Sequence, residues 1–198
     1  MSKNFWKKHR GGIIFILFIL QITFFYKLIQ IYSQNAILLN TTLDNKIPFL
    51  STFVIFYLLF FVLLFLPFIL NFKDKKKFLA LSATFFFVSI VCNLFYVFFQ
   101  TTVIRPEIIV STIFDKLVLF IYSIDKSFNC FPSMHVTFSV LSTLCLLKLN
   151  KKAGQIILPL AILIAFSTLL IKQHVILDVI GGLFLAVLGY YFIFRRMI

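Results

Sequence analysis

Residues 48–70 read PFLSTFVIFYLLFFVLLFLPFIL, a run without a charged side chain. A helix needs about 20 mostly apolar residues to cross the hydrocarbon core of a bilayer. Similar runs recur along the chain, and hydrophobic residues make up 62% of it, compared with roughly half of a soluble globular domain. A soluble core cannot cover that much apolar surface, so the sequence predicts an integral membrane protein.

Six apolar runs are candidates for membrane-spanning helices. Four have the length that a bilayer requires, at residues 13–32, 48–70, 78–99 and 175–194. The other two, at residues 134–149 and 156–171, would be only about 24 Å long as helices. Polar residues border both short runs, and a polar site recessed among the helices would make up the missing length. We therefore expect an all-α polytopic bundle with six transmembrane helices, forming a single membrane domain over residues 1–198.

Basic residues are distributed unevenly between the two sides of this arrangement. With a cytoplasmic N-terminus, thirteen Lys and Arg residues lie on the cytoplasmic side and five on the other, while Lys27 lies within the first span. Because basic residues are retained in the cytoplasm, we expect a multi-pass protein of the cell membrane with both termini cytoplasmic. The net charge of +13 then reflects topology and contact with membrane lipids, and we expect no nucleic-acid partner. The five residues on the extracytoplasmic side are Lys46, Arg105, Lys116, Lys126 and Lys172.

Three further features complete the predicted plan. The longest loop, residues 100–132, lies outside, and its apolar residues over 107–124 fit a short helix at the interface or across the bundle. The cysteines are odd in number and two of them lie in apolar runs, so we expect no disulfide. The first run follows basic residues, as in a signal peptide, but it is long and lacks a small-residue cleavage site. We expect it to be retained as a span.

Five ionisable residues fall at the outer ends of apolar runs, where a charge at membrane depth is costly and suggests a function. Within this set, His174 and Asp178 are four residues apart, so on a helix they share one face with a rise of about 6 Å. A carboxylate so placed can orient an imidazole and raise its basicity. For this pair alone, a structural polar contact explains the spacing as well as catalysis does. The five residues are Arg105, His135, Lys172, His174 and Asp178.

The other three members of this set can favour an anion. His135 follows Pro132 and Ser133, which can open a helix whose first amides attract negative charge. Arg105 offers a planar fork suited to phosphate, and Lys172 offers a mobile point charge. Taken singly, a histidine in such a place is more often a capped, satisfied histidine than a catalyst, and the two cations are more often interfacial anchors.

Taken together and in this order, the residues resemble the type 2 phosphatidic acid phosphatase superfamily, which has three short signatures. The first is a lysine followed after six residues by Arg-Pro, of which Arg105-Pro106 is present while Phe98 stands at the lysine position. The second, Pro-Ser-Gly-His, appears as Pro132-Ser133-Met134-His135.

The third signature is Ser-Arg, followed after five residues by His and after three more by Asp. It appears as Ser167-Thr168, His174 and Asp178, with Thr168 in place of the arginine. The departures from the pattern are more similar to the branch that contains inositol phosphorylceramide synthases, in which Lys172 would supply the missing cation. The resemblance defines a catalytic motif region at residues 105–182.

The resemblance implies phosphoryl transfer through a covalent intermediate. His174 would attack the phosphorus, Asp178 would orient it, and His135 would protonate the leaving group and then activate the second substrate. Cations and backbone amides would hold the phosphoryl oxygens. Neither a metal nor a cofactor is implied. The implied phosphate-binding residues are Arg105, Lys172 and Ser133.

Three functions remain open from the sequence. The first is hydrolysis of a lipid phosphomonoester or diphosphate on the extracytoplasmic side of the membrane. The second is transfer of a phospho-head group to a lipid or sugar hydroxyl, for which the same residues would serve. The third is a non-catalytic membrane protein, such as a transporter or scaffold, that retains the fold.

Overall fold

Apolar sequence forms helices along most of the chain, because a helix satisfies its own backbone hydrogen bonds without water. The computed structural model describes residues 3–33 and 36–198, with side chains from residue 9 onward. The helices are, in chain order, α1 (Lys3–Leu20), α2 (Tyr26–Tyr32), α3 (Val54–Leu58), α4 (Phe60–Leu70), α5 (Lys75–Phe98), α6 (Ile113–Ile124), α7 (Met134–Leu149), α8 (Lys151–Leu170), α9 (Ile176–Gly189) and α10 (Arg195–Met197).

Short irregular helices join several of these elements. The π-helical segments Gln21–Phe25 and Tyr190–Phe194 connect α1 to α2 and α9 to α10, so each pair runs as one helix. Two 3₁₀ turns, Asp44–Lys46 and Ser51–Phe53, precede α3. Two-residue strands β1 (Ile37–Leu38) and β2 (Thr101–Thr102) pair in parallel and join the loops that follow α2 and α5.

Within the described residues, five helical segments are long and apolar enough to cross a membrane. They indicate a membrane protein, as predicted. The segments are His9–Tyr32, Ser51–Leu70, Lys75–Phe98, Lys151–Leu170 and Ile176–Met197.

Two of the predicted runs were expected to form short helices, but only one of them does so in the structure. The run at 156–171 was predicted to be short, but it belongs to the 20-residue α8, which begins at Lys151. The Asn150 side chain accepts a hydrogen bond from the Ala153 amide at 3.1 Å and so caps this earlier start. The run at 134–149 forms α7, which has only 16 residues and is shorter than the five spanning segments.

Helix α7 lies at the centre of the bundle and packs against α4, α8 and α9. Most of its side chains are buried, and the buried ones lie on all sides of the helix. Examples are Val136, Phe138 and Leu141. Its turn into α8 is tight, since a Cβ atom on Gly154 would lie 2.4 Å from the Leu147 amide nitrogen. The opposite, N-terminal end of α7 carries His135 and is called the site end below.

The N-terminal half of α9 packs closely on the site end of α7. A Cβ atom on Gly182 would lie 2.8 Å from the Ser133 carbonyl oxygen, so a glycine is needed for this approach. The Ser133 amide donates a hydrogen bond to the Asp178 carbonyl at 3.1 Å. These contacts bring the start of α9, with His174 and Asp178, beside His135.

Helix α6 packs against α3 and the 3₁₀ turn before it, and it starts later than predicted. Residues 107–124 were expected to be helical, whereas the helix begins at Ile113. The reason is local: Thr112 and Asp115 form a reciprocal capping box that fixes the first turn there. Two apolar residues of α6 pack against three residues of neighbouring elements, and together this cluster comprises Val118, Ile121, Val54, Tyr57 and Ile171.

Candidate functional site

His174 and Asp178 form an interacting pair at the start of α9. They do not share a helix face as predicted, because the helix begins at Ile176 and His174 lies just before it. Asp178 is fully buried, and its Oδ2 atom accepts a hydrogen bond from the Val175 amide at 3.0 Å. The same oxygen lies 3.3 Å from Nδ1 of His174. The backbone amide therefore fixes the carboxylate, and the carboxylate fixes the imidazole. Since Nδ1 faces the carboxylate, Nε2 is the ring nitrogen that remains free to react.

His135 occupies the first turn of α7 and is held by aromatic rings. Its ring centroid lies 4.3 Å from that of Tyr57, nearly parallel at 29°, and 4.4 Å from that of Phe60. The His135 and His174 ring centroids are 6.0 Å apart. The structure therefore brings the two predicted histidines together.

Arg105 reaches the pair through the residue next to His174. Its guanidinium donates hydrogen bonds to the Gln173 side-chain oxygen and, at 2.7 Å, to the Asp125 carbonyl. The same group lies over the Tyr122 ring, 4.2 Å from its centroid. These contacts fix the planar fork at Gln173, the residue that precedes His174.

Lys172 is placed differently from the other predicted cation. Its ammonium donates hydrogen bonds to the carbonyls of Ile47 at 2.6 Å and Asp44 at 3.2 Å, in the loop before α3. Burial lowers the pKa of Lys172 from its usual value, and the charge of Asp44 opposes this. Its backbone has φ of 54°, in the left-handed region, where it closes the turn between α8 and α9. Lys172 therefore ties this turn to the loop, and its phosphate-binding role stays a prediction.

Ser133 lies at the N-terminus of α7 and is fully buried. Its hydroxyl accepts a hydrogen bond from the Val136 amide at 3.4 Å, as a helix N-cap does. The first amides of α7 beyond this cap have no intrahelical acceptor, and they give this end of the helix a positive partial charge. The structure thus assigns Ser133 a capping role, and its contact with phosphate stays a prediction.

Four buried polar atoms of these residues lack a hydrogen-bond partner among the described residues. Buried polar groups are normally paired, so such atoms mark places for water or a polar ligand. The guanidinium and the side-chain amide in this set are donors, which suits an anion. The four atoms are Nε of Arg105, Nδ1 of His135, Nε2 of Gln173 and Oδ1 of Asp178.

An apolar cavity of about 580 Å³ ends at the two histidines. It extends from them between the first span, α4 and α6, where almost all of its wall is aliphatic or aromatic. Representative lining residues are Ile19, Ile22, Leu64, Phe120, Phe138 and His135.

A polar network in the cavity wall was missed by the sequence analysis. The Asp125 carboxylate accepts hydrogen bonds from the Tyr26 hydroxyl at 2.8 Å, the Gln30 side-chain amide at 2.9 Å and the Tyr57 hydroxyl at 3.3 Å. Asp125 could have been singled out as an acidic residue next to an apolar helix. The contact of Tyr57 with His135 has no signal in the sequence, because neither residue type nor spacing connects them.

Cys130 also approaches the histidine and the aspartate. The potential ligand atoms of Cys130, His174 and Asp178 lie within 4.8 Å of one another. Burial raises the pKa of the Cys130 thiol well above its usual value, and the charges of Asp178 and Asp125 raise it further. A neutral thiol is a weak metal ligand and a weak nucleophile, so Cys130 is poorly suited to either role.

The apolar helical bundle indicates a membrane protein, and it brings His135, His174 and Asp178 together. A family model described as the PAP2 superfamily matches residues 77–197, which is more than half of the chain. The chain belongs to the PAP2 superfamily. Members of this superfamily are typically phosphoesterases, which supports an enzymatic role. No curated protein and no solved structure gives a significant match.

Proposed function

We propose that the chain is a membrane phosphatase that hydrolyses a lipid phosphomonoester or diphosphate through a phosphohistidine on His174. One arrangement carries this proposal: His174 is oriented by Asp178, and His135 faces it at 6.0 Å between ring centroids, at the end of an apolar cavity. Membership of the PAP2 superfamily supports the same chemistry.

In the first step, Nε2 of His174 attacks the phosphorus and forms an N–P bond as the P–O bond to the leaving group breaks. His135 donates a proton to the departing oxygen. In the second step, His135 takes a proton from water, and the resulting hydroxide displaces the phosphoryl group from His174. Phosphate leaves and both histidines return to their starting states.

The phosphoryl oxygens are stabilised by positive charge and by donors that are already in place. Arg105 provides the planar fork beside His174, and the first amides of α7 point to the same region. Ser133 and Lys172 add a hydroxyl and a second cation in this proposal. For Lys172 to take part, its ammonium exchanges the carbonyls of Ile47 and Asp44 for phosphoryl oxygens.

The cavity accommodates the apolar tail of the substrate. Its wall would bury hydrocarbon that the bilayer otherwise covers, and it leads directly to the reacting atoms. We place the protein in the cell membrane with α7 as the sixth span, both termini in the cytoplasm and the site on the extracytoplasmic side. The distribution of basic residues supports this orientation.

Phosphotransfer to an alcohol is a second candidate, and the polar network at Asp125 favours it. A carboxylate and two phenol hydroxyls, from Tyr26 and Tyr57, lie in the cavity wall near His135, where they can hydrogen-bond an alcohol. In that reaction the acceptor hydroxyl replaces water in the second step. This is the reaction of the inositol phosphorylceramide synthase-like branch. We place the chain in that branch because Thr168 replaces the arginine of the third signature and Lys172 would supply the missing cation.

The test is release of phosphate by detergent-purified protein from phosphatidic acid, phosphatidylglycerol phosphate and a polyprenyl diphosphate, each radiolabelled in the phosphate. The expected result is labelled inorganic phosphate, which is lost in His174→Ala. The variant Lys116→Gln, at an exposed basic residue of α6, serves as the matched control and stays active. If the label instead appears in a new lipid or sugar ester, and only when an alcohol is added, the protein is a phosphotransferase. No labelled product from any substrate would favour a non-catalytic protein.

A further inference from the structure

We propose that Tyr57, anchored by Asp125, is the positioning residue for His135. This inference rests on the proposed function, since it concerns the proton transfer that His135 performs. Tyr57 lies outside residues 77–197, the part of the chain that the family model matches.

The two histidines are held by different means. His174 has a carboxylate 3.3 Å from its Nδ1 atom, whereas Nδ1 of His135 has no hydrogen-bond partner among the described residues. An imidazole without such a partner can rotate about its side-chain bonds unless packing prevents it. The stacked ring of Tyr57, 4.3 Å away, and the tilted ring of Phe60, 4.4 Å away, provide that packing.

Tyr57 differs from Phe60 because its ring has a second point of attachment. The Tyr57 side chain is buried, and its hydroxyl donates a hydrogen bond to Oδ2 of Asp125 at 3.3 Å. With the backbone of α3 at one end and Asp125 at the other, the ring is fixed in the plane against which His135 stacks. A phenylalanine at this position would keep the stack and lose the second attachment.

Asp125 is itself fixed from two further directions. Its Oδ1 atom accepts hydrogen bonds from Tyr26 and Gln30 on the first span, and its carbonyl accepts one from Arg105. The residue therefore joins the proposed phosphate-binding cation to the ring that orients the proposed acid. A shift of Arg105 would be transmitted to the Tyr57 ring, and the reverse, through the backbone and carboxylate of Asp125.

The experiment measures kcat/KM for the variants Tyr57→Leu, Tyr57→Phe and Asp125→Asn. Two substrates are compared: phosphatidic acid, whose alkoxide leaving group needs a proton, and an activated aryl phosphate, which needs one much less. We expect Tyr57→Leu to lose about 100-fold with phosphatidic acid, the scale of a misplacement of about 1 Å. With the aryl phosphate, the loss should be less than about threefold, since proton donation contributes little there.

The two milder variants separate stacking from anchoring. Tyr57→Phe and Asp125→Asn should lose roughly three- to tenfold with phosphatidic acid, because the ring stays stacked but is less well fixed. Tyr32→Phe, at a tyrosine that ends the first span and is 71% exposed, is the matched control and should be unchanged.

Equal losses on both substrates in an active protein would overturn the positioning role alone, because a structural defect lowers all reactions alike. If Tyr57→Leu does not fold, the losses in kcat/KM with the two substrates are compared in Tyr57→Phe and Asp125→Asn instead. Equal losses in these variants would overturn the positioning role in the same way. A wild-type protein that releases no phosphate from any substrate overturns the proposed function, and the positioning role falls with it.

Discussion

The carboxylate of Asp178 lies 3.3 Å from Nδ1 of His174 and is itself fixed by the Val175 amide. His135, whose ring centroid is 6.0 Å from that of His174, stacks on aromatic rings instead. One histidine is thus oriented by an anion and the other by packing. This difference matches the proposed division of labour, in which His174 is the nucleophile and His135 the proton donor.

The two histidine variants should differ in their response to the leaving group. Both His174→Ala and His135→Ala should abolish turnover of phosphatidic acid. An activated aryl phosphate should partly rescue His135→Ala, because a leaving group of low pKa needs little protonation in the transition state. The same substrate should not rescue His174→Ala, which has no nucleophile. Rescue of His174→Ala alone would invert the assigned roles.

Asp178→Asn should give an intermediate defect. The amide keeps the shape of the side chain and the His174 ring stays in place, but the negative charge that orients the ring is lost. We expect phosphate release to fall by up to about 10⁴-fold, the loss seen when the orienting aspartate of a Ser-His-Asp triad is neutralised. Acid-quench trapping of labelled phosphoenzyme should still detect slow formation. Wild-type rates in this variant would show that the pair is only structural.

Arg105→Lys should weaken phosphate binding although the charge is kept. An ammonium cannot reproduce the planar fork that contacts Gln173, Asp125 and the Tyr122 ring. Loss of one charge-assisted hydrogen bond, about 1.5–3 kcal/mol, predicts a decrease in kcat/KM of roughly 10- to 100-fold. The measurement is phosphatidic acid hydrolysis beside the control Lys116→Gln. An unchanged kcat/KM would remove Arg105 from the site.

Gly182→Ala should destabilise the packing of α9 on α7. Its Cβ atom would lie 2.8 Å from the Ser133 carbonyl oxygen, a backbone atom that cannot move without shifting the site end of α7. Overpacking of this kind costs about 1–3 kcal/mol, so the Tm in detergent should decrease and activity should fall with it. Gly12→Ala is the control, since its Cβ atom would meet nothing within 4 Å. Equal Tm values for the two variants would contradict this account.

The predicted topology can be tested with introduced cysteines, because the native Cys92, Cys130 and Cys145 are all buried. A membrane-impermeant thiol reagent should label Glu107→Cys in sealed cells, since this exposed residue lies in the loop predicted to be outside. Lys152→Cys, exposed at the predicted cytoplasmic end of α8, should be labelled only after the membrane is opened. The reverse pattern would invert the charge argument.

The sequence by itself determined the class of protein and the position of most helices. A run such as 48–70 is apolar at nearly every position, and the bilayer imposes its length, so the helix Ser51–Leu70 follows from local composition alone. The pairing of His174 and Asp178 is likewise local, because the Asp178 carboxylate caps the first turn of α9 at the Val175 amide and His174 directly precedes that residue. Membership of the superfamily could also be recognised from short motifs with fixed order and spacing.

Only the tertiary structure decided what surrounds those motifs. The hydroxyl contact of Tyr57 with Asp125 joins residues 68 positions apart, and the stacking of Tyr57 on His135 also crosses between elements, so no periodicity encodes either. The phosphate-binding role of Lys172 stays a prediction. Its ammonium binds loop carbonyls at Asp44 and Ile47, whose location depends on how the loop folds back. The pattern of a segment predicts whether that segment forms a helix and enters the bilayer. Contacts between distant segments depend on how the helices pack, and packing is a property of the whole bundle.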